Sequence, residues 1–171
     1  MHVDDDLLAL WYSDVRQLVT EEHWDFATAI TGAEGVAKST LAIHLARITD
    51  LTFDPARQIA YSPLDYMRLI STLPKGKTKI GDEWVKAGYN RKHASKTNIE
   101  VNEAFMTLRG HTGGHHILCM PDFWAFDSYW RNHRIRAWFK VKRRGEAILH
   151  VPMRGDYPQG EIGRAPVWTT V

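Results

Sequence analysis

Residues 28–45 read Thr-Ala-Ile-Thr-Gly-Ala-Glu-Gly-Val-Ala-Lys-Ser-Thr-Leu-Ala-Ile-His-Leu. An apolar strand runs into a loop bearing Gly32 and Gly35, then a Lys-Ser-Thr triplet, then a helical pattern. This order predicts a phosphate cradle, because loop N–H groups and the N-terminus of the next helix converge on one point. Lys38 would reach the β- and γ-phosphates of a nucleotide, and the Ser39 hydroxyl would ligate Mg²⁺. The binding segment expected is Gly32, Ala33, Glu34, Gly35, Val36, Ala37, Lys38, Ser39 and Thr40. An ordinary glycine-rich turn is the competing reading, and it leaves the Lys-Ser-Thr triplet at the helix start unexplained.

The chain has 171 residues, enough for one domain with a real core. The expected division is a domain over 1–152, including an N-terminal helix, and an extended tail over 153–171. Net charge is +2, so a nucleic-acid contact has to come from local patches rather than from the whole surface. A single cysteine, Cys119, excludes an internal disulfide and suits a reducing compartment. Asp4-Asp5-Asp6 is unlike the start of a signal peptide, and no apolar run approaches the ~18 residues of a membrane span. The expectation is a cytoplasmic protein of a bacterial, archaeal or viral-host cell, with no membrane partner.

Leu7, Leu8, Leu10, Trp11, Val15, Leu18 and Val19 form a helical stripe over 5–19. Strands are expected at 25–31, 58–62, 78–83 and 115–120, and helices at 38–49, 63–73 and 98–109. Pro63 suits the first turn of its helix. Residues 85–97 are polar, basic and expected as loop. A loop and a short aromatic helix fill 121–133, and 136–143 with 146–151 form a hairpin around Arg144-Gly145. Such strand–helix alternation gives a parallel α/β sheet with its ligand at the strand C-terminal ends.

The third strand ends Lys79-Ile80-Gly81-Asp82-Glu83. Asp82 is placed to hold Mg²⁺ through water. Glu83 directly after it can orient and deprotonate an attacking water. Adjacent carboxylates at a strand end suit nucleotide hydrolysis better than phosphoryl transfer to a metabolite; a solvated Asp-Glu pair is the bland alternative.

With these residues in view the chain looks like a P-loop NTPase. Ala37 stands where the strict pattern has a second glycine, and Gly-Ala-Glu-Gly-Val-Ala-Lys-Ser is similar to the Walker A variant of MCM helicases and MoxR-type ATPases. The chain resembles the additional-strand, catalytic-glutamate class. Within it, residues 78–141 resemble the FtsK/HerA and zonula-occludens-toxin-like ATPases. The matching pieces are Asp82-Glu83, Arg91 to Asn98, Thr107-Leu108-Arg109-Gly110, His116 to Met120, and Arg131 to Arg134 before Ile135 to Val141. The resemblance covers roughly 25–150. It implies a P-loop NTPase (RecA-like) three-layer α/β sandwich with a mainly parallel sheet and a C-terminal β-hairpin. It also implies ATP and Mg²⁺ as ligands, hydrolysis, a homo-oligomeric ring and action on DNA. The fourth strand departs from the usual Thr-Gln ending with Met120-Pro121-Asp122, leaving Asp122 as the nearby polar candidate to sense the γ-phosphate.

Ring ATPases place an arginine of one subunit against a neighbour's γ-phosphate. Arg109, Arg131 and Arg134 are candidates; Arg134, just before a core strand, is the favoured one. Lys86, Arg91, Lys92 and Lys96 after Glu83, and Lys140, Lys142, Arg143 and Arg144 around the hairpin turn, could grip a phosphate backbone or be ordinary solvated charge. His111, His115, His116 and Cys119 match no zinc module, so capping and strand-edge histidines are expected. Phe123, Trp124, Phe126, Tyr129 and Trp130 are expected to pack a helix rather than stack on a base. The rival readings are a P-loop small-molecule kinase with a lid over 131–136 and a nucleotide-binding structural or switch subunit with weak hydrolysis.

Overall fold

The structure, a computed structural model, describes residues 9, 11–82, 113–126, 128, 130–152 and 168–170. Among the described residues seven strands form one sheet: β1 Phe26–Thr31, β2 Ile59–Ala60, β3 Lys79–Gly81, β4 His115–Met120, β5 Ile135–Arg143, β6 Glu146–Pro152 and β7 Trp168–Thr170. The spatial order is β2-β3-β4-β1-β5-β6-β7. The first five strands are mutually parallel, while β6 and β7 run antiparallel to their neighbours. β4 therefore lies between the strand that leads into the glycine loop and the strand that leads to Asp82. This is the α/β architecture with a mainly parallel sheet expected from the sequence, with a strand between β1 and β3 and the C-terminal hairpin in place.

Side chains of a strand alternate between faces, and the two cores follow that alternation. Ile30, Ile117 and Cys119 pack with Trp11, Val15, Val19, Leu41 and Leu45 on one face. Ala29, Leu118 and Met120 pack with Tyr66, Ile70, Phe123 and Trp130 on the other. The first layer contains helix α1 (Arg16–Thr20), preceded by a π-helical turn over Trp11–Val15, and helix α2 (Lys38–Thr49). The opposite layer contains helix α4 (Pro63–Thr72), started by Pro63 and by Ser62, whose hydroxyl accepts from Asp65 N–H. The result is three layers. A register shift between Ala27 and Thr28 on β1, against Ile135 and Ala137 on β5, places Ile135 with Trp138 rather than with Phe139.

Some bounds differ from expectation. The second strand is two residues long, and Pro55–Gln58 before it is a short helix, α3, capped by Asp54. Gln58 turns inward there, donating to Asp50 Oδ2 at 2.9 Å and to the Thr78 carbonyl at 2.7 Å. The third strand stops at Gly81, as β2 offers only Ile59 and Ala60 to pair with. Trp168–Thr170 of the expected tail pair with β6, Val151 opposite Thr169. The helix expected over 98–109 and the loop over 85–97 lie outside the described residues.

Candidate nucleotide-phosphate site

The glycine loop starts where β1 ends. Thr31 Oγ1 accepts a 2.7 Å hydrogen bond from the Trp138 indole N–H, which fixes the strand end against β5. Gly32 has φ 150°, its N–H donates to the Pro121 carbonyl at 3.2 Å, and a Cβ there would sit 2.5 Å from the Val141 carbonyl oxygen. Only glycine fits so close to the backbone of β5. Gly35 has φ 75°. Ala37, at the cap of α2, has φ 73° and ψ 36°, the left-handed region normally given to glycine. Ala37 thus adopts the backbone that the missing second glycine would have supplied, at a cost of about 1–2 kcal/mol. Left-handed residues within such a loop turn successive N–H groups toward one side, which is how an anion nest is made.

Two polar groups converge on this loop. Lys38 Nζ donates to the carbonyls of Gly32 at 2.9 Å and Ala33 at 2.8 Å, so the ammonium folds back over the loop. Ser39 Oγ donates to Asp82 Oδ2 at 2.7 Å. Asp82 is itself positioned by its N–H donating to the Ala60 carbonyl at 2.9 Å. A hydroxyl and a carboxylate brought together at a helix N-terminus are hard oxygen donors of the kind Mg²⁺ takes. Cys119, in the core behind them, is inert: burial pushes its thiol well above the usual range, with the Asp82 charge adding to the effect.

The remaining expected residues are distributed less simply. Glu83, Lys86, Arg91, Lys92, Lys96 and Arg109 lie outside the described residues. Arg134, the favoured trans-acting arginine, is buried just before β5, with Nη2 3.7 Å from Asp25 Oδ2. Both residues precede parallel strands, so they sit at the end of the sheet opposite Gly32. Arg134 there is part of a buried ion pair. Arg131 donates from Nε to the Phe126 carbonyl at 3.0 Å and stacks over exposed Trp124. Asp122 caps the turn Phe123–Ala125 by accepting from Trp124 N–H at 3.2 Å. Phe123, Phe126 and Trp130 are core residues, as expected; Tyr129 is outside the described residues.

His115 and His116 are central and buried, not strand-edge residues. His115 meets Thr28 Oγ1 at 2.8 Å and Thr49 Oγ1 at 3.0 Å, and His116 Nδ1 meets the Tyr66 hydroxyl at 2.8 Å. No group of three metal-ligating side chains occurs among the described residues.

The hairpin basic residues lie at the loop end of the sheet. Lys140 pairs with Thr31, exposed Arg143 pairs with Glu146 at 2.6 Å, and Arg144 Nε lies 3.5 Å from the Gly35 carbonyl. That last contact was not foreseeable from the sequence, because it depends on β5 lying beside β1, a neighbourhood set by the whole sheet.

No family model and no curated relative matches this sequence. Among solved structures, the N-terminal domain of zonular occludens toxin from Neisseria meningitidis is similar at 13% identity and a TM-score of 0.47, over 86% of this chain and 94% of that one.

Proposed function

We propose that this chain binds ATP with Mg²⁺ at residues 32–40 and hydrolyses it as a subunit of a homo-oligomeric ring that acts on DNA. The observation that carries the nucleotide reading is the 2.7 Å bond from Ser39 to Asp82. It joins the hydroxyl that follows the loop lysine to the acidic strand end, two groups far apart in sequence. Lys38 would exchange the Gly32 and Ala33 carbonyls for phosphate oxygens, since an ammonium prefers an anionic acceptor. Ser39, and Asp82 through water, would hold Mg²⁺, which neutralises charge across the β- and γ-phosphates. Glu83, next in sequence, is the group proposed to take the proton from the attacking water. DNA is proposed to meet Lys86, Arg91, Lys92 and Lys96 together with the exposed hairpin lysines Lys140 and Lys142.

Calorimetry with Mg–ATP tests the binding step. Lys38→Ala should abolish tight binding, while Glu83→Gln should keep ATP bound and slow turnover about 100-fold or more. Equal ATP affinity for the wild type and Lys38→Ala would reject the site, and unchanged turnover in Glu83→Gln would move the base elsewhere.

A further inference from the structure

We infer that Arg144 is a nucleotide-binding residue of its own subunit, its guanidinium holding the α-phosphate. The inference rests on the ATP reading above. The strand order fixes a direction across the loop. Asp82 and its Ser39 partner mark the metal side, reached from β3 and β4, where the β- and γ-phosphates are neutralised. β5 flanks β1 on the other side. A phosphate chain whose γ end faces Asp82 therefore turns its α end and nucleoside toward β5 and its hairpin.

The hairpin is built to reach that position. Val141 passes Gly32 so closely that no Cβ fits between them. A register irregularity between Val141 and Arg143 breaks the strand alternation just before the tip, and both Lys142 and Arg143 are exposed. Bulges of this kind re-aim side chains beside active sites. Gly145, with φ 82°, completes the tight turn. Arg144 then lies across Gly35, and apart from the glycine's chain neighbours no described residue comes within 4 Å of the position a Cβ would take there. A 3.5 Å approach to a neutral carbonyl is a weak contact. A phosphate offers a guanidinium two charge-assisted bonds in its place. Arg143, bound to Glu146, and Lys140, level with Thr31, make no such contact with the loop.

The test is titration of the full chain with Mg–ADP, Mg–ATP and a DNA duplex, comparing wild type, Arg144→Ala, Arg144→Lys and Lys38→Ala. Arg144 is exposed, so its replacement should leave the melting temperature unchanged. Arg144→Ala should weaken ADP and ATP by the same factor, about tenfold or more for a charge-assisted pair. Arg144→Lys should recover part of that loss, and DNA affinity should not change. Unchanged ADP affinity, a loss confined to ATP, or a loss confined to DNA would each overturn the assignment. If wild type binds nucleotide and Lys38→Ala does not, such a result removes Arg144 alone; if wild type binds none, both readings fall.

Discussion

Ala37 shows how one residue can depart from a motif while the backbone keeps it. Its φ of 73° and ψ of 36° are left-handed, and the carbonyl of the same residue accepts the first bond of α2, from Leu41 N–H at 3.1 Å. An alanine held there is strained by about 1–2 kcal/mol. Glycine removes that strain but adds backbone entropy to the unfolded chain, worth about 0.5–1 kcal/mol. The strain is the larger effect. Ala37→Gly should therefore stabilise the fold modestly, by about 1 kcal/mol or less, and leave Mg–ATP affinity unchanged. Urea denaturation beside calorimetry checks this; a destabilised variant would mean that the methyl group, not the backbone, matters at this position. The motif itself was legible because its chemistry is local: Gly32, Lys38 and Ser39 are neighbours in sequence, and their geometry follows from a strand, a turn and a helix.

At the scale of the element, β4 carries the sharpest consequence. Both faces of this parallel strand are buried, where apolar runs are usual, yet it begins with two histidines. Thr49 Oγ1 donates to the Leu45 carbonyl at 3.0 Å, so it accepts from His115 Nδ1–H, leaving Nε2 to accept from Thr28. The neutral ring is satisfied, and a second proton would face a donor that has to turn round. Burial pushes His115 down to about 3, helped by positive charge from His116 and Lys79. Burial likewise takes His116 to about 4, partly offset by Asp25, whose carboxyl lies 3.6 Å away. Unfolded histidine titrates near ~6.5. Between that value and about 4 the unfolded chain binds protons the native strand refuses, so stability falls as pH drops through this window. Asp25 and Asp50, both held below the usual carboxylate range despite burial, lose their contributions only at still lower pH. The urea midpoint should be lower at pH 5 than at pH 7, and the difference should shrink in His115→Gln. Equal midpoints at the two pH values would show that the rings charge without penalty. The sequence revealed the strand but gave its two histidines as capping and strand-edge residues, because the burial of their end of the strand depends on neighbours brought by crossovers rather than on any local residue pattern.

Across the whole molecule, the sheet separates two sets of charges. Lys38, Asp82 and the hairpin cations lie at the C-terminal ends of the parallel strands, and Asp25 with Arg134 at the N-terminal ends. Arg134, the favoured trans-acting arginine, lies at the end of its own sheet away from the loop, paired with Asp25. A residue just before a parallel strand belongs to the end away from the ligand, which the chain order alone could have indicated. Arg131 contacts Phe126 and Trp124 of its own subunit, and the proposed ring would draw its trans-acting arginine from Arg109, Arg131 or Arg134. A ring of this kind has a kinetic signature. When a neighbour completes each site, turnover per subunit rises with protein concentration and then levels as assembly saturates. A DNA contact has an ionic one: affinity falls steeply with salt, and each lysine–phosphate contact adds about one unit to the log–log slope. Lys140→Ala with Lys142→Ala should weaken DNA binding and reduce that slope by about two, without altering ATP affinity, because both side chains are exposed and neither touches the 32–37 loop. Sedimentation with Mg–ATP, turnover across a range of protein concentrations and DNA titrations at several salt concentrations measure all three. A monomer with concentration-independent turnover and no DNA binding at low salt would reject the ring motor and leave a lone nucleotide hydrolase.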